Sequence, residues 1–445
     1  MRRGSVDIIT LGCSKNLVDS EKLIAQFRAN GIKVRHDPDK VSAETVIINT
    51  CGFIGDAQEE SINMILECCE LKKAGKVGRV FVMGCLSQKF HKELMAEIPE
   101  VDGWYGKFDW NGIIKEMGQV WHGEIENDRV ITTPPHYAYL KIAEGCNRGC
   151  AYCAIPLMTG KYRSRSQEDI LDETRRLVAK GVKEIQLIAQ DLTYYGTDIA
   201  HKPTLAELVQ RISDISGVEW LRLHYGYPNN FPMDLLPVMR ERDNVCNYMD
   251  IALQHISDPV LKRMHRNITA QETRDFLARI REEVPGIHLR TTLMVGFPGE
   301  TDDDYAQLLD FVREQRFERM GAFAYCEVDG TYSALHYKDD VPDEVKQARL
   351  SRLMRVQQDI SADISALKVG KTFKTMIDRL EGEYYVGRTE YDSPEVDPEV
   401  LVKADVELPV GEFRNVTITE ADAFDLYGVI RGTKRTVPFV PRKRD

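Results

Sequence analysis

No run in this 445-residue chain approaches eighteen uninterrupted apolar residues, so no segment reads as a membrane-spanning helix. The amino end, Met1 to Thr10, has two arginines but no sustained apolar stretch of secretory type, and a cytoplasmic location is expected. An excess of positive charge is also missing: 59 Lys and Arg face 70 Asp and Glu, a formal net charge of −11. That balance argues against an overall cationic surface gripping nucleic acid by counterion release, although a local basic patch would survive the average. What the chain does have is ten cysteines. In a reducing compartment they read as metal or redox chemistry rather than as a disulfide framework. With 43% hydrophobic and 29% charged residues the composition is globular. At about 150 residues per domain, the length suggests three domains.

In the amino-terminal third, the apolar run Val6 to Leu11 ends at Gly12-Cys13. Val46 to Ile48 ends at Asn49-Thr50-Cys51, and Val80 to Met83 ends at Gly84-Cys85. Helical patterns over Ser20 to Asn30 and Asp56 to Ala74 lie between them. The alternation predicts a parallel, doubly wound sheet, whose ligands bind outside the carboxyl ends of the strands. Cys13, Cys51 and Cys85 would then meet at one edge, whereas Cys68 and Cys69, mid-helix, read as ordinary buried thiols. Three thiolates favour iron-sulfur or zinc over hard cations, and the spacing does not choose between those two.

Residues 123 to 136 read as a linker. Beyond it, strands are expected at Ala138 to Ile142, Glu184 to Ala189, Trp220 to His224, Asn247 to Leu253, His288 to Val295 and Met320 to Tyr325. Helices are expected between most of them, including Ser166 to Ala179 with a capping-box-like start and Thr269 to Val284. Six units fall short of a closed eight-stranded barrel and predict an open, partial one, with chemistry at the carboxyl ends of its strands. There stand Cys146, Cys150 and Cys153, then Gln190-Asp191, Gln254-His255 and Gly296 to Thr301. The last of these also reads as a plain turn, and His255 as a loop cap. Zinc at the cysteine triplet would need a fourth ligand nearby, and the next 60 residues hold no Cys and only His201. A four-iron cluster on three thiolates would leave one iron open.

After a helical stretch over Asp343 to Lys368, short alternating runs at Thr372 to Ile377, Tyr384 to Thr389, Val400 to Asp405 and Asn415 to Ile418 predict a small five-stranded barrel. Such barrels often bind RNA. This one has six Lys and Arg against fourteen Asp and Glu over Val369 to Ile430, which suits a basic protein partner better. Residues 431–445 reverse the sign and read as a disordered basic tail, with RNA contact secondary.

The Cys-x-x-x-Cys-x-x-Cys loop of Cys146, Cys150 and Cys153 after a strand resembles the radical S-adenosylmethionine (SAM) enzymes. In those, the open iron chelates the amino and carboxylate groups of SAM, and electron transfer yields a 5′-deoxyadenosyl radical. The resemblance implies that Tyr152 lies against SAM and that Gln190, Gly296, Gly299 and Glu300 help to hold it. Over about residues 5 to 430 the chain resembles the methylthiotransferases: an N-terminal doubly wound α/β domain (4–122), a central partial (β/α)6 radical SAM core (132–365) and a small all-β TRAM barrel (368–432), followed by the tail (433–445). Leu11 to Asn16, Asn49 to Ile54, Ala189-Gln190-Asp191 with Tyr195-Gly196, and Val386 to Thr389 are similar to the RimO type, which modifies an aspartate of the twelfth protein of the small ribosomal subunit. Thr159 and Ala252 depart from the family pattern.

That resemblance implies two 4Fe-4S clusters, one on Cys146, Cys150 and Cys153 that cleaves SAM, and an auxiliary one on Cys13, Cys51 and Cys85 that carries the sulfur. No side-chain acid or base is implied as catalytic. External electron and sulfur donors are implied, and a basic ribosomal protein is the implied substrate. The alternatives are a methylthiotransferase acting on adenosine in transfer RNA and a non-catalytic binding protein in which metal serves structure.

Overall fold

The computed structural model of the chain describes residues 2–404 and 407–430, so the tail expected at 433–445 lies outside the described residues. Strands β1 (Arg2–Thr10), β2 (Lys33–His36), β3 (Ala43–Thr50), β4 (Arg79–Gly84) and β5 (Gly103–Trp104) form a parallel sheet in the order β2-β1-β3-β4-β5. Side chains alternate across the strands. Ile8, Ile47 and Phe81 therefore pack on Leu23, Ile24 and Phe27 of the helix Ser14–Ala29. Ile9, Ile48 and Val82 pack on Ile65, Cys68 and Cys69 of the helix Gly55–Lys73 on the other face. The first helix begins at Ser14 rather than at Ser20, because Asn16 and Asp19, which dilute its apolar pattern, are themselves buried.

The central sheet contains β6 (Tyr137–Lys141), β9 (Glu184–Ile188), β10 (Trp220–Gly226), β11 (Val245–Gln254), β12 (His288–Val295) and β13 (Arg319–Ala324). All pair in parallel, in the order β13-β12-β11-β10-β9-β6, and helices following the strands bury their apolar faces in one large core. A short ladder of β7 (Ala143–Glu144) with β8 (Arg163–Ser164) brackets the triple-cysteine loop. Ser166 caps its helix by accepting the Asp169 N–H, without the reciprocal bond of a full box, whereas Thr269 and Glu272 make both bonds. The expected linker is not free: Arg129 is buried, where it pairs with Glu21 of the first helix and with Glu173 of the helix Gln167–Ala179.

The helix Asp343–Ala366 leads to a closed barrel of β14 (Thr372–Glu381), β15 (Tyr384–Thr389), β16 (Val400–Lys403), β18 (Leu426–Ile430) and β17 (Phe413–Ala421). This barrel seals the amino-terminal end of the central sheet. Arg388 donates to Glu184 at 2.8 Å and to Asp378 at 2.6 Å, and His136 Nε2 stands 2.8 Å from the Asp378 carboxylate. Arg319 pairs with Asp392, Tyr137 and Tyr139 donate to Glu395, and Tyr248 donates to Asp397. Part of the negative charge that composition suggested would face a partner, that of Asp378, Asp392 and Asp397, is therefore turned inward, because buried guanidinium groups demand counter-charges.

The Arg388 guanidinium, outweighing the opposing effect of burial, holds Asp378 down at about 2 and keeps Glu184 low. Arg388→Met would leave Asp378 with only the His136 ring and Glu184 with only Arg222. It is expected to cost about 3–5 kcal/mol at neutral pH. A depressed carboxylate stabilises above its unfolded value, so the deficit against wild type should shrink as pH falls from about 4 through 2. Thermal unfolding of both proteins at neutral and acid pH checks this, and a deficit that does not change with pH contradicts it.

Candidate active site

Strands β1, β3 and β4 are neighbours, so the residues that follow them are brought together at about the 4.8 Å spacing of paired strands. Cys13, Cys51 and Cys85 occupy those places. Gly12 has a left-handed backbone (φ 87°), and a Cβ there would lie 2.7 Å from Cys51 Sγ, so only glycine lets the two loops meet this closely. Asn16 fastens them: its Nδ2 donates to the carbonyls of Leu11 and Thr50, and its Oδ1 accepts from Lys107 Nζ at 3.0 Å, with Cys85 Sγ at 3.7 Å. Burial pushes the Cys85 thiol up to about 12 and raises Cys51. At Cys13 the effect of burial is outweighed by the ammonium groups of Lys15 and Lys107, and its thiol is lowered.

The second thiol set lies on the loop between β7 and β8. Cys146 N–H donates to Gly160 O, Cys153 N–H to Cys150 O, and Ala151 N–H to Met264 O. Cys150 Sγ is 3.8 Å from the Tyr227 hydroxyl and 3.6 Å from Arg266 Nη1. Arg266 also donates to the carbonyl of Ala252 and lies 4.0 Å from the Tyr227 ring centroid. Thr159, the other departure from the family pattern, turns its hydroxyl back onto Ile155 O. Burial raises Cys146 to about 11 and raises Cys153 as well. Among the described residues no three His, Cys, Asp or Glu side chains close around a point as a single metal ion would need. Two sets of three soft thiols fit polynuclear iron-sulfur centres, in which each thiolate takes its own iron.

The two sets face one another. Cys85 packs with Ala154, which directly follows Cys153, with Met158 in the short helix after it, and with Val328. Below them a buried chain of charges crosses the domain boundary. Lys107 Nζ donates to Asp19 Oδ2 at 2.9 Å, Lys141 bridges Asp19 to Glu144, and Gln190 Nε2 donates to Glu144 at 3.0 Å. The ammonium groups of Lys141 and Lys107, working against burial, hold Glu144 down at about 2.

Of the residues implied to hold SAM, Tyr152 is half-buried edge-on to Phe297 (ring centroids 6.3 Å apart). The Gln190 side chain enters the same mouth with its Oε1 buried and without a protein partner. Gly296 and Gly299 have left-handed backbones, and Gly296 lies against the side chain of Lys346. The Glu300 carboxylate is spent on Gly296 N–H (2.8 Å) and Arg349 (2.8 Å), with His255 Nε2 at 3.4 Å, so its contribution is to shape the turn. His255 Nδ1 accepts from Ser257 N–H and so caps its own loop. Asp19, Lys107, Lys141, Tyr227 and Arg266 carry no spacing signal. The aromatic Tyr225-Gly226-Tyr227 at the end of the third central strand was the one available hint.

Three family models match the chain: Radical SAM superfamily over residues 140–312, Uncharacterized protein family UPF0004 over 5–106, and TRAM domain over 369–430. A protein of Parabacteroides distasonis named ribosomal protein uS12 methylthiotransferase RimO is 64% identical, over 97% of this chain and all of that one. Its namesake in Bacteroides thetaiotaomicron is 60% identical over 97% of this chain and 99% of its own. Among solved structures, the radical S-adenosylmethionine methyltransferase TsrM of Kitasatospora setae, with cobalamin and a [4Fe-4S] cluster bound, aligns with a TM-score of 0.54. Its identity is 16%, over 75% of this chain and 77% of that one, so the likeness is one of fold.

Asp19→Asn would leave Lys107 and Lys141 buried with the charge between them removed. A loss of about 3–5 kcal/mol is expected, with faster proteolysis in the 123–136 segment as the first domain loosens. An unchanged melting temperature and an unchanged cleavage rate would contradict this.

Proposed function

The chain belongs to the RimO family of methylthiotransferases, and from that premise we propose that it is a radical SAM enzyme adding a methylthio group to the β-carbon of an aspartate in ribosomal protein uS12. The observation that carries the reading is the juxtaposition of two three-thiol sets, on two domains, at a boundary braced by a buried chain of charges. Its domains are read as 4–122, 132–365 and 368–432. SAM and 4Fe-4S clusters are the cofactors of this family, and together they supply hydrogen abstraction from an unactivated carbon, which side-chain acids and bases cannot perform at neutral pH.

The chain's own residues have the work of holding and orienting. Cys146, Cys150 and Cys153 would hold the SAM-cleaving cluster, with Tyr227 and Arg266 directed at the Cys150 sulfur, where hydrogen bonding tunes a cluster's potential. Cys13, Cys51 and Cys85 would hold the auxiliary cluster beside the Lys107 ammonium. Tyr152 and Gln190 would contact SAM, and the Gly296 to Glu300 turn would shape the floor beneath it. The net negative charge of the small barrel, with carboxylates such as Glu407 facing outward, favours a basic protein over a phosphate backbone. Reductant and sulfur donor come from outside the chain. Among the described residues no helix is long and apolar enough to cross a membrane, and the reaction is assigned to the cytoplasm, where ribosomes are built.

Anaerobic reconstitution should load about eight iron atoms per chain, one four-iron cluster per thiol set. Cys146→Ala should abolish SAM cleavage. The triple Cys13→Ala, Cys51→Ala, Cys85→Ala variant should retain cleavage and lose methylthio transfer, read by mass spectrometry of uS12. Cleavage surviving Cys146→Ala would sink the assignment.

A further inference from the structure

Lys15 is two residues past Cys13, in the first turn of the helix Ser14–Ala29, and only 8% of it is exposed. Its Nζ lies 3.0 Å from the centroid of the Tyr225 ring, on β10 of the central sheet. Among the described residues no carboxylate pairs with this ammonium and no carbonyl accepts from it. The other buried lysines at this boundary are treated differently: Lys107 and Lys141 each have a carboxylate in contact. Beyond the Cys13 thiol that it lowers, the Lys15 ammonium has no anionic group in contact, so it is open to a ligand that carries one.

The surroundings narrow what that ligand is. On one side of the ammonium is Cys13. On the other is the end of β10, where Tyr227, two residues past Tyr225, touches Cys150. Leu17 and Val18, in the next turn of the same helix, pack against Tyr137, Tyr139 and Ile188, so the helix lids the mouth of the central sheet and carries Lys15 into it. Tyr225 holds its ring there from a left-handed backbone (φ 62°), a conformation that a bulky side chain adopts only under constraint. The nearby acid of the sheet, Asp250, is occupied: it accepts from Tyr225 N–H at 3.3 Å and stands 3.5 Å from Arg290.

We propose that Lys15 recognises the substrate's side-chain carboxylate, its ammonium pairing with the aspartate whose β-carbon is presented between the two thiol sets. This rests on the proposed reaction, in which that β-carbon must lie between the two centres. The carboxylate is bonded directly to it, so an ammonium in the same gap is within reach. Lys15 then does two things: it selects an acid over its amide, and it fixes the rotation about the side chain so that one β-hydrogen faces the SAM side. A second carboxylate also enters this mouth, that of SAM itself, and the test separates the two.

The holoenzyme with both clusters is titrated with fluorescent uS12 peptides carrying Asp or Asn at the target position, and separately with SAM. Wild type should bind the Asp peptide at least about tenfold more tightly than the Asn peptide, the scale of a charge-assisted hydrogen bond. Lys15→Gln, reconstituted to the same iron content, should bind the two peptides within about twofold of each other while its SAM affinity stays within that margin, and Lys15→Arg should restore part of the preference. Equal binding of both peptides by wild type would overturn the proposal without recourse to any variant, as would a preference that survives Lys15→Gln. A Lys15→Gln defect confined to SAM affinity would assign the ammonium to SAM's carboxylate instead. Should wild type modify neither peptide, the substrate reading itself falls, an outcome distinct from modification of the Asp peptide without discrimination in binding.

Discussion

Asp19 sits between two lysines from different domains, Lys107 of the first and Lys141 of the second, with all three side chains buried. Two thiol sets on separate sheets can cooperate only if those sheets keep a fixed separation, and apolar packing alone is a poor ruler because it tolerates sliding. A carboxylate that must satisfy two ammonium groups does not tolerate it: a small shift strands a buried charge. The same helix repeats the device two residues on, where Glu21 pairs with Arg129 and, through it, with Glu173. Desolvation makes such networks weak sources of net stability, so their value here is registry rather than strength.

The opposite end of the central sheet uses the same physics for another purpose. A partial barrel leaves inward-facing polar side chains at its amino-terminal rim, among them Glu184, Arg222 and Arg319. The small closed barrel supplies their partners through Arg388, Glu390 O and Asp392. It therefore completes the core of its neighbour as well as presenting a surface to other molecules. Part of its acidity, at Asp378, Asp392, Asp397 and Glu412, is already neutralised at that contact, which shrinks the charge available to attract a partner.

The architecture was legible because it rests on local signals. Parallel strands buried on both faces read as apolar runs ending at Cys13, Cys51 and Cys85, and the six central strands recur with helices between them. What escaped was either short or non-local. Lys33–His36 and Gly103–Trp104 are edge strands too short or too polar to show a pattern, and Leu426–Ile430 is held by pairing with β16 and β17. Asp19, Lys107, Lys141, Arg388 and Asp378 look like ordinary surface charges in sequence, because nothing within a few residues of a charge reveals that its counter-charge lies in another domain. The thiol ligands of the candidate site could be read by spacing. Two residues that orient them, Tyr227 and Arg266, could not, since they reach the thiols from segments distant in the chain.

Several side chains beside the two thiol sets keep polar groups that nothing in the chain answers. At the mouth between the thiol sets, Lys15 faces an aromatic ring instead of an acid, Gln190 keeps an unpartnered oxygen, and Arg266 has a buried Nε without an acceptor. Tyr225 and Gln254 adopt left-handed backbones at strand ends close by. Each departure costs free energy that folding alone gives no reason to spend. Unpartnered groups occur elsewhere too, as at Lys89 and Lys368, but those beside Cys13 and Cys150 stand where a ligand of both thiol sets would lie. Cation, amide and guanidinium are left open toward a ligand with carboxylate and polar groups, held between two metal-binding loops.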